Sequence, residues 1–393
     1  MTEPRVYLDH NATTIVRPNV IALIAETLGA TGNPSSIHAE GRAKRRIVEN
    51  ARKQVAALVG GSPSSVTFTS GGTESSNIAL TPSIRDARDP RPVTRLLVSA
   101  VEHPAVAAGA RFRSAAVQSV PVDRRGVVDL ESVEAAFGRH AVARPDERAM
   151  LALMLANNET GVIQPVAEAC RIARRFGGLV HVDAVQAAGK IPVDIGELGC
   201  DFLALSAHKF GGPQGVGALV RAEEGLHVEE PLIRGGGQER GWRGGTENVA
   251  GVAGLGLAAE EARAGLDAFG GLFVLRDALE RGIRALDKVV VFGEGASRLP
   301  NTSCFASPGV ASDRAIIALD LAGIAVSSGS ACSSGKTKAS AVLEAMGIEP
   351  NLSSGMIRVS FGWSSKATDV ERFLSAWSDI VRRSARKPSV SAA

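Results

Sequence analysis

Apolar and polar positions alternate along this chain with two periods. Val6-Tyr7-Leu8 reads as a short strand, and Arg17-Pro18 opens a helical stretch in which Val20, Leu23, Ile24 and Leu28 recur at helical spacing. Gly32-Asn33-Pro34-Ser35-Ser36 forms a turn, and residues 42–59 form a helix with Ile47, Val48, Ala51, Val55 and Leu58 on one face. From residue 65 the pattern becomes strand then helix, repeatedly. Strands are predicted over 65–69, 95–99, 150–155, 179–182, 202–205 and 216–220, and helices over 73–80, 104–116 and 166–176. This is the βα alternation of a mainly parallel sheet covered by helices.

A long helix is predicted to begin near Asn248. Beyond residue 260 helices mix with short strands at 289–292, 302–306 and 356–361. The expected division is a large domain over 15–260 and a smaller α+β domain made of 1–14 plus 261–393. The small polar residues of 384–393 read as a disordered tail.

Composition excludes several classes. With 44 Lys and Arg against 41 Asp and Glu the net charge is +3, which gives no electrostatic case for nucleic acid or an anionic membrane. Aromatics are 4%, too few for base-stacking platforms. No apolar run approaches the roughly 20 residues of a membrane helix, and the first residues lack a signal peptide's apolar segment. Cys170, Cys200, Cys304 and Cys332 show neither C-x-x-C spacing nor a disulfide framework. A cytoplasmic soluble protein is expected, with no nucleic-acid or membrane partner.

Polar residues gather at predicted strand ends, where open α/β sheets bind ligands. Ser206-Ala207-His208-Lys209 follows the strand 202–205 and precedes Gly211-Gly212-Pro213-Gln214-Gly215-Val216-Gly217. A Schiff-base lysine is placed in this way, although a surface charge is the commoner use of lysine. Asp183 ends the strand 179–182, with Gln186 three residues on; its alternative is a helix cap. His181 and Asp183 together carry a weak metal-site signal, with no second ligand pair. His103, in Glu102-His103-Pro104, and Asn158, in Asn157-Asn158-Glu159-Thr160-Gly161, follow strands too, with an ordinary loop and an Asn/Gly turn as alternatives. Ser70-Gly71-Gly72-Thr73-Glu74 could present helix N-terminal N–H groups to a phosphate, or be a tight turn. Arg358 alternates with apolar neighbours and could pair with a substrate carboxylate or with a structural acid. Cys332 stands among Ser and Gly residues from Ser327 to Gly335, a setting that favours a reactive thiol over a buried, inert one.

These segments, together with Tyr7-Leu8-Asp9, Ala12-Thr13-Thr14, His181-Val182-Asp183-Ala184 and Arg243-Gly244-Gly245-Thr246-Glu247-Asn248, resemble the NifS/IscS-type cysteine desulfurases of the class V aminotransferase family. The resemblance covers nearly the whole chain. It implies the fold-type I architecture, a mainly parallel seven-stranded sheet flanked by helices with a smaller α+β domain, and pyridoxal 5'-phosphate as cofactor. It further implies that Lys209 bonds the cofactor, Asp183 faces its ring nitrogen, Gln186 its phenolic oxygen, His103 its ring, and Asn158 lies beside it. Gly72, Thr73, Ser206 and His208 would hold the phosphate. Thr246 would reach the phosphate of a second subunit, so a homodimer is implied.

Asn33 and Arg358 would bind the carboxylate of the substrate, L-cysteine. Cys332 would take the substrate sulfur as a persulfide, with Lys209 and His103 as the other catalytic groups, and would pass it to an iron-sulfur scaffold protein. The loop resembles the long-loop branch, and Gly335-Lys336 resembles the nitrogen-fixation type. No metal of its own is expected, although Cys332 could transiently ligate a cluster shared with the scaffold. The rival readings are a selenocysteine lyase or other fold-type I enzyme, and a sulfur carrier that uses Cys332 without cofactor.

Overall fold

A computed structural model describes residues 4–223, 225–328 and 340–385. Seven strands form the principal sheet, in the spatial order Val66–Thr69, Gly217–Arg221, Phe202–Ser206, Leu179–Asp183, Arg148–Met154, Val93–Ser99 and Val117–Val120. Only Gly217–Arg221 runs against its neighbours. The interior strands are buried on both faces; every residue of Arg148–Met154 and Phe202–Ser206 is buried, so these strands read as unbroken apolar runs rather than as alternation.

Helices cover the sheet because each has one apolar face. In Ala39–Leu58, Val48, Ala51, Val55 and Leu58 are buried, joining Leu97, Leu151, Val180, Leu203 and Leu255 in one core. At about 1.5–3 kcal/mol for each fully buried Leu or Val, this layer supplies most of what opposes chain entropy. The helix begins earlier than its periodicity indicates, since Nδ1 of His38 accepts the Gly41 N–H at 3.3 Å and caps it. Val249–Ala264 starts where expected, with Asn248 Oδ1 accepting the Gly251 N–H at 3.0 Å.

The helix predicted over 104–116 is a correction. It spans only Pro104–Ala107, and the chain then reverses through Gly109 (φ 78°) and Ala110 (φ 47°). Helix propensity favoured continuing, but the reversal buries Phe112 with Val106, Leu96 and Met150. The strand Val117–Val120 and the helix Leu130–Ala143 carry too little apolar periodicity to be read beforehand.

A second core lies apart from the first. Val6 and Leu8 pack with Leu279, Phe305, Leu319, Ile357, Phe373 and Trp377, around the three strands Val290–Val291, Thr302–Ala306 and Ile357–Ser360. The segment that leaves this core after Leu8 runs straight into the cleft described below. Of the tail predicted over 384–393, residues 384–385 instead end the helix Ala367–Ala385; the rest, like residues 329–339 with Cys332, lies outside the described residues.

Candidate active site

Parallel strands bring their C-terminal ends to one edge. Met154 pairs with Asp183, Asp183 with Ala204, Ser206 with Gly217, and Gly217 with Thr69, so polar residues remote in sequence converge there. They line a cavity of about 610 Å³. Gly72, Thr73, His103, Asn158, Asp183, Gln186, Ser206, His208, Lys209 and Arg358 all lie in its wall. Asn33 and Thr246 do not. Both are exposed, and Asn33 Oδ1 instead accepts the Ser35 N–H at 2.9 Å, making the turn that precedes the Ala39–Leu58 helix.

One wall is the N-terminus of the helix Gly72–Ala79. Glu74 reaches back to accept the Ser70 N–H at 2.8 Å and also takes Arg243 Nε at 3.0 Å, which fixes the entry loop. The backbones here approach closely: a Cβ on Gly217 would sit 2.7 Å from Gly71 Cα, and one on Gly72 would sit 2.6 Å from Val185 Cγ2. Glycine is therefore required for the strand Gly217–Arg221, the helix start and the Asp183 turn to share one wall. The arrangement presents helix N–H groups, Ser206 and His208 to one end of the cavity, a donor set suited to phosphate. Burial, then the cations Lys209 and Lys190, lower His208 to about 4, so its imidazole is neutral at physiological pH.

Lys209 Nζ donates to the backbone carbonyls of Asn11 and Ala12 at 2.7 and 2.8 Å. Asn11, Ala12 and Thr13 are thus cavity residues, which periodicity did not reveal because the loop has no repeating pattern.

Asp183 caps and faces the cavity at once. Its Oδ1 accepts the Val185 N–H at 2.9 Å, and burial raises its pKa against the opposing pull of His103 and Lys209. Near it lies Glu102, buried, which no pattern in the sequence singled out. Burial first, and Asp183 second, push Glu102 well above the usual carboxylate range; its Oε1 accepts the Met154 N–H at 2.5 Å, and Oε2 has no partner among the described residues. Burial and the neighbouring Asp183 both favour the protonated form of Glu102. A carboxyl whose folded-state pKa is raised makes the folded chain bind more protons between the unfolded and folded values. Its contribution to stability is therefore unaffected below the unfolded pKa and falls as pH rises through that interval. Glu102→Gln keeps the acceptor and removes the ionisation, so its melting temperature, followed against pH, should match the parent near pH ~4 and exceed it progressively above. A deficit at neutral pH would mean that Glu102 is ionised in the folded chain.

His103 Nδ1 accepts the Ala105 N–H at 3.2 Å, which in the neutral ring puts the proton on Nε2. Among the described residues no metal-ligating cluster includes His181, which is wholly buried and pairs with Ser76 Oγ at 3.2 Å, and whose pKa burial lowers to about 3. Arg358, 3% exposed, satisfies both open readings in part, because it lines the cavity while pairing with Asp9 Oδ1 at 2.7 Å and the Asn158 carbonyl at 2.9 Å. Cys332 lies outside the described residues. Cys170, Cys200 and Cys304 are buried free thiols, each pushed up chiefly by burial, and so unreactive.

The sheet thus gathers a lysine, a buried carboxyl and a helix N-terminus around one cleft. The chain belongs to the class V aminotransferase family, whose pattern matches residues 6–373. It is 44% identical to a cysteine desulfurase of Cereibacter sphaeroides over 96% of both chains, and 40% identical to an IscS-like cysteine desulfurase of Mycobacterium tuberculosis over 98% of both. A NifS-like protein of Rickettsia africae superposes with a TM-score of 0.84, at 32% identity over 96% of this chain and 99% of that one. Pyridoxal phosphate is the cofactor of this family. The residues fit it: the phosphate donor set lies at one end, Lys209 is the amine, and Asp183 is a carboxyl whose burial leaves it in want of a cationic partner such as a protonated ring nitrogen.

Proposed function

We propose that this chain converts L-cysteine to L-alanine and transfers the sulfur through Cys332. The observation that carries the reading is the convergence of Lys209, Asp183 and the Gly72 helix N-terminus on one cavity, in a chain whose relatives of full length are cysteine desulfurases. The bound pyridoxal phosphate supplies an electron sink for the substrate's Cα. Asp183 would hold the ring nitrogen, Gln186 the ring oxygen, and Gly72, Thr73, Ser206 and His208 the phosphate. His103 would face the ring, with Asn158 beside it. Lys209 Nζ would carry the cofactor and move the Cα proton. Arg358, with Asn33, takes the substrate carboxylate, and Asp9 keeps the guanidinium oriented.

His103 Nε2 handles the proton at the substrate sulfur. Cys332 attacks that sulfur as thiolate: an S–S bond forms, the C–S bond breaks, its electron pair stays with carbon, and a proton there completes alanine. Asn33 and Thr246, both outside the cavity of their own chain, act in a homodimer, Thr246 at the partner's phosphate end. On the division into 15–260 and 1–14 plus 261–393, the cofactor would belong to the larger domain and Cys332 to the smaller. The acceptor is an iron-sulfur scaffold protein in the cytoplasm, with nitrogenase cluster maturation as one destination. No helix among the described residues is long and apolar enough to cross a membrane.

The test is stoichiometry. With L-cysteine and a thiol reductant, purified protein should release alanine and sulfide in equal amounts; pyruvate and ammonia in their place, or transamination of a keto acid, would sink the reading.

A further inference from the structure

Lys190, in the turn after the strand Leu179–Asp183, is 2% exposed. Lysine is almost never buried so fully without an opposite charge. Its hydrogen-bond partners among the described residues are instead two neutral amide oxygens: Gln186 Oε1 at 2.7 Å and Asn11 Oδ1 at 2.8 Å. The charges nearest in effect are Lys209 and Arg358, both cations, and Lys190 acts in turn on His10 and His208. Burial, then those cations, hold its pKa well below the ordinary value.

Both acceptors belong to residues of the cavity wall. Gln186 Nε2 donates to the Asn11 backbone carbonyl at 2.8 Å, and that same carbonyl receives Lys209 Nζ at 2.7 Å. A carbonyl can only accept, and Lys190 donates, so the Gln186 carboxamide has one possible orientation. Its second N–H is left for an oxygen in the cavity. Asn11 is braced from the other core, its Oδ1 taking Asn301 Nδ2 at 3.2 Å and its Nδ2 donating to Thr302 Oγ1 at 2.9 Å. Lys190 thus joins the turn after Asp183 to the loop that holds the reactive amine.

We propose that Lys190 is a positioning residue: it fixes the Gln186 carboxamide with an N–H toward the cofactor's ring oxygen and pins the Asn11 carbonyl against Lys209. It touches neither substrate nor cofactor. The inference rests on the cavity being the pyridoxal phosphate site.

The experiment is an absorption titration of the holoenzyme. A donor that stabilises an anionic ring oxygen lowers the proton affinity of the chromophore. Lys190→Met should therefore move the pH midpoint of the visible band upward by about half to one unit and weaken cofactor retention about threefold to tenfold. In a Gln186→Ala background the same change should shift the midpoint little further. An unmoved midpoint in Lys190→Met, or an equal shift in both backgrounds, overturns the proposal. If Lys190→Met yields no folded holoenzyme, Asn11→Ser decides: an upward shift supports the proposal and an unchanged midpoint overturns it. A parent protein without any Lys209-dependent band refutes the cofactor reading itself, before any result on Lys190 bears.

Discussion

Lys209→Ala loses the visible band of bound cofactor, and alanine formation from L-cysteine falls by about a thousandfold or more. The size follows from the number of tasks on one nitrogen. In the structure the amine lies against the Asn11 and Ala12 carbonyls in the cavity wall; in the proposed route it both carries the cofactor and moves the Cα proton, and removing a group through which a covalent route runs costs on that scale. The fold should tolerate the change, because Lys209 is half-buried and contributes no apolar side chain to either core. Its melting temperature without cofactor should equal that of the cofactor-free parent, corresponding to less than about 1 kcal/mol. Absorbance, a coupled alanine assay and a thermal melt check the three statements. A variant that stays coloured and active would remove Lys209 from the chemistry.

The second large effect is at Cys332. Cys332→Ala keeps the absorption band and its response to added L-cysteine, since none of the cavity residues that hold cofactor is altered, while sulfur transfer to an acceptor protein falls to the uncatalysed level. This split separates the proposed route from other enzymes built on the same lysine and aspartate, which have no use for a loop thiol. It also separates it from a sulfur carrier acting without cofactor, for which Lys209→Ala would be harmless. The remaining cysteines cannot substitute: Cys170, Cys200 and Cys304 are buried and their thiols pushed up by burial.

What could be read beforehand was whatever is marked locally. Asp183, Asn158, His103 and Lys209 each follow a β-rich apolar run directly, so the strand itself announces their place at the sheet edge, and the structure gathers them as expected. Lys190 carries no such mark, and Asn11 and Glu102, although they too follow strands, show nothing in the sequence of the contacts that tie them to the site. Lys190 looks like a surface charge until the Asn11 loop, 179 residues away, closes over it, and Glu102 looks like a solvated loop acid although it is buried and takes the Met154 N–H. The ion pair of Arg52 with Glu239, at 2.8 Å and nearly inaccessible, spans 187 residues and was equally invisible. Tertiary closure also decided the fate of the Pro104 helix, where local propensity was overruled by the burial of Phe112. For Arg358 the sequence left a ligand role and an ion pair open, and the structure supplies the pair with Asp9 while keeping the guanidinium at the cavity wall.

The central claim is that sulfur leaves cysteine and arrives on Cys332. It is tested most directly by peptide mass analysis of the protein after brief exposure to L-cysteine, with excess substrate removed under non-reducing conditions. A gain of one sulfur atom on the Cys332 peptide, absent in Lys209→Ala and reversed by a thiol reductant, is the predicted result. An unmodified Cys332 in protein that has meanwhile formed alanine would contradict it.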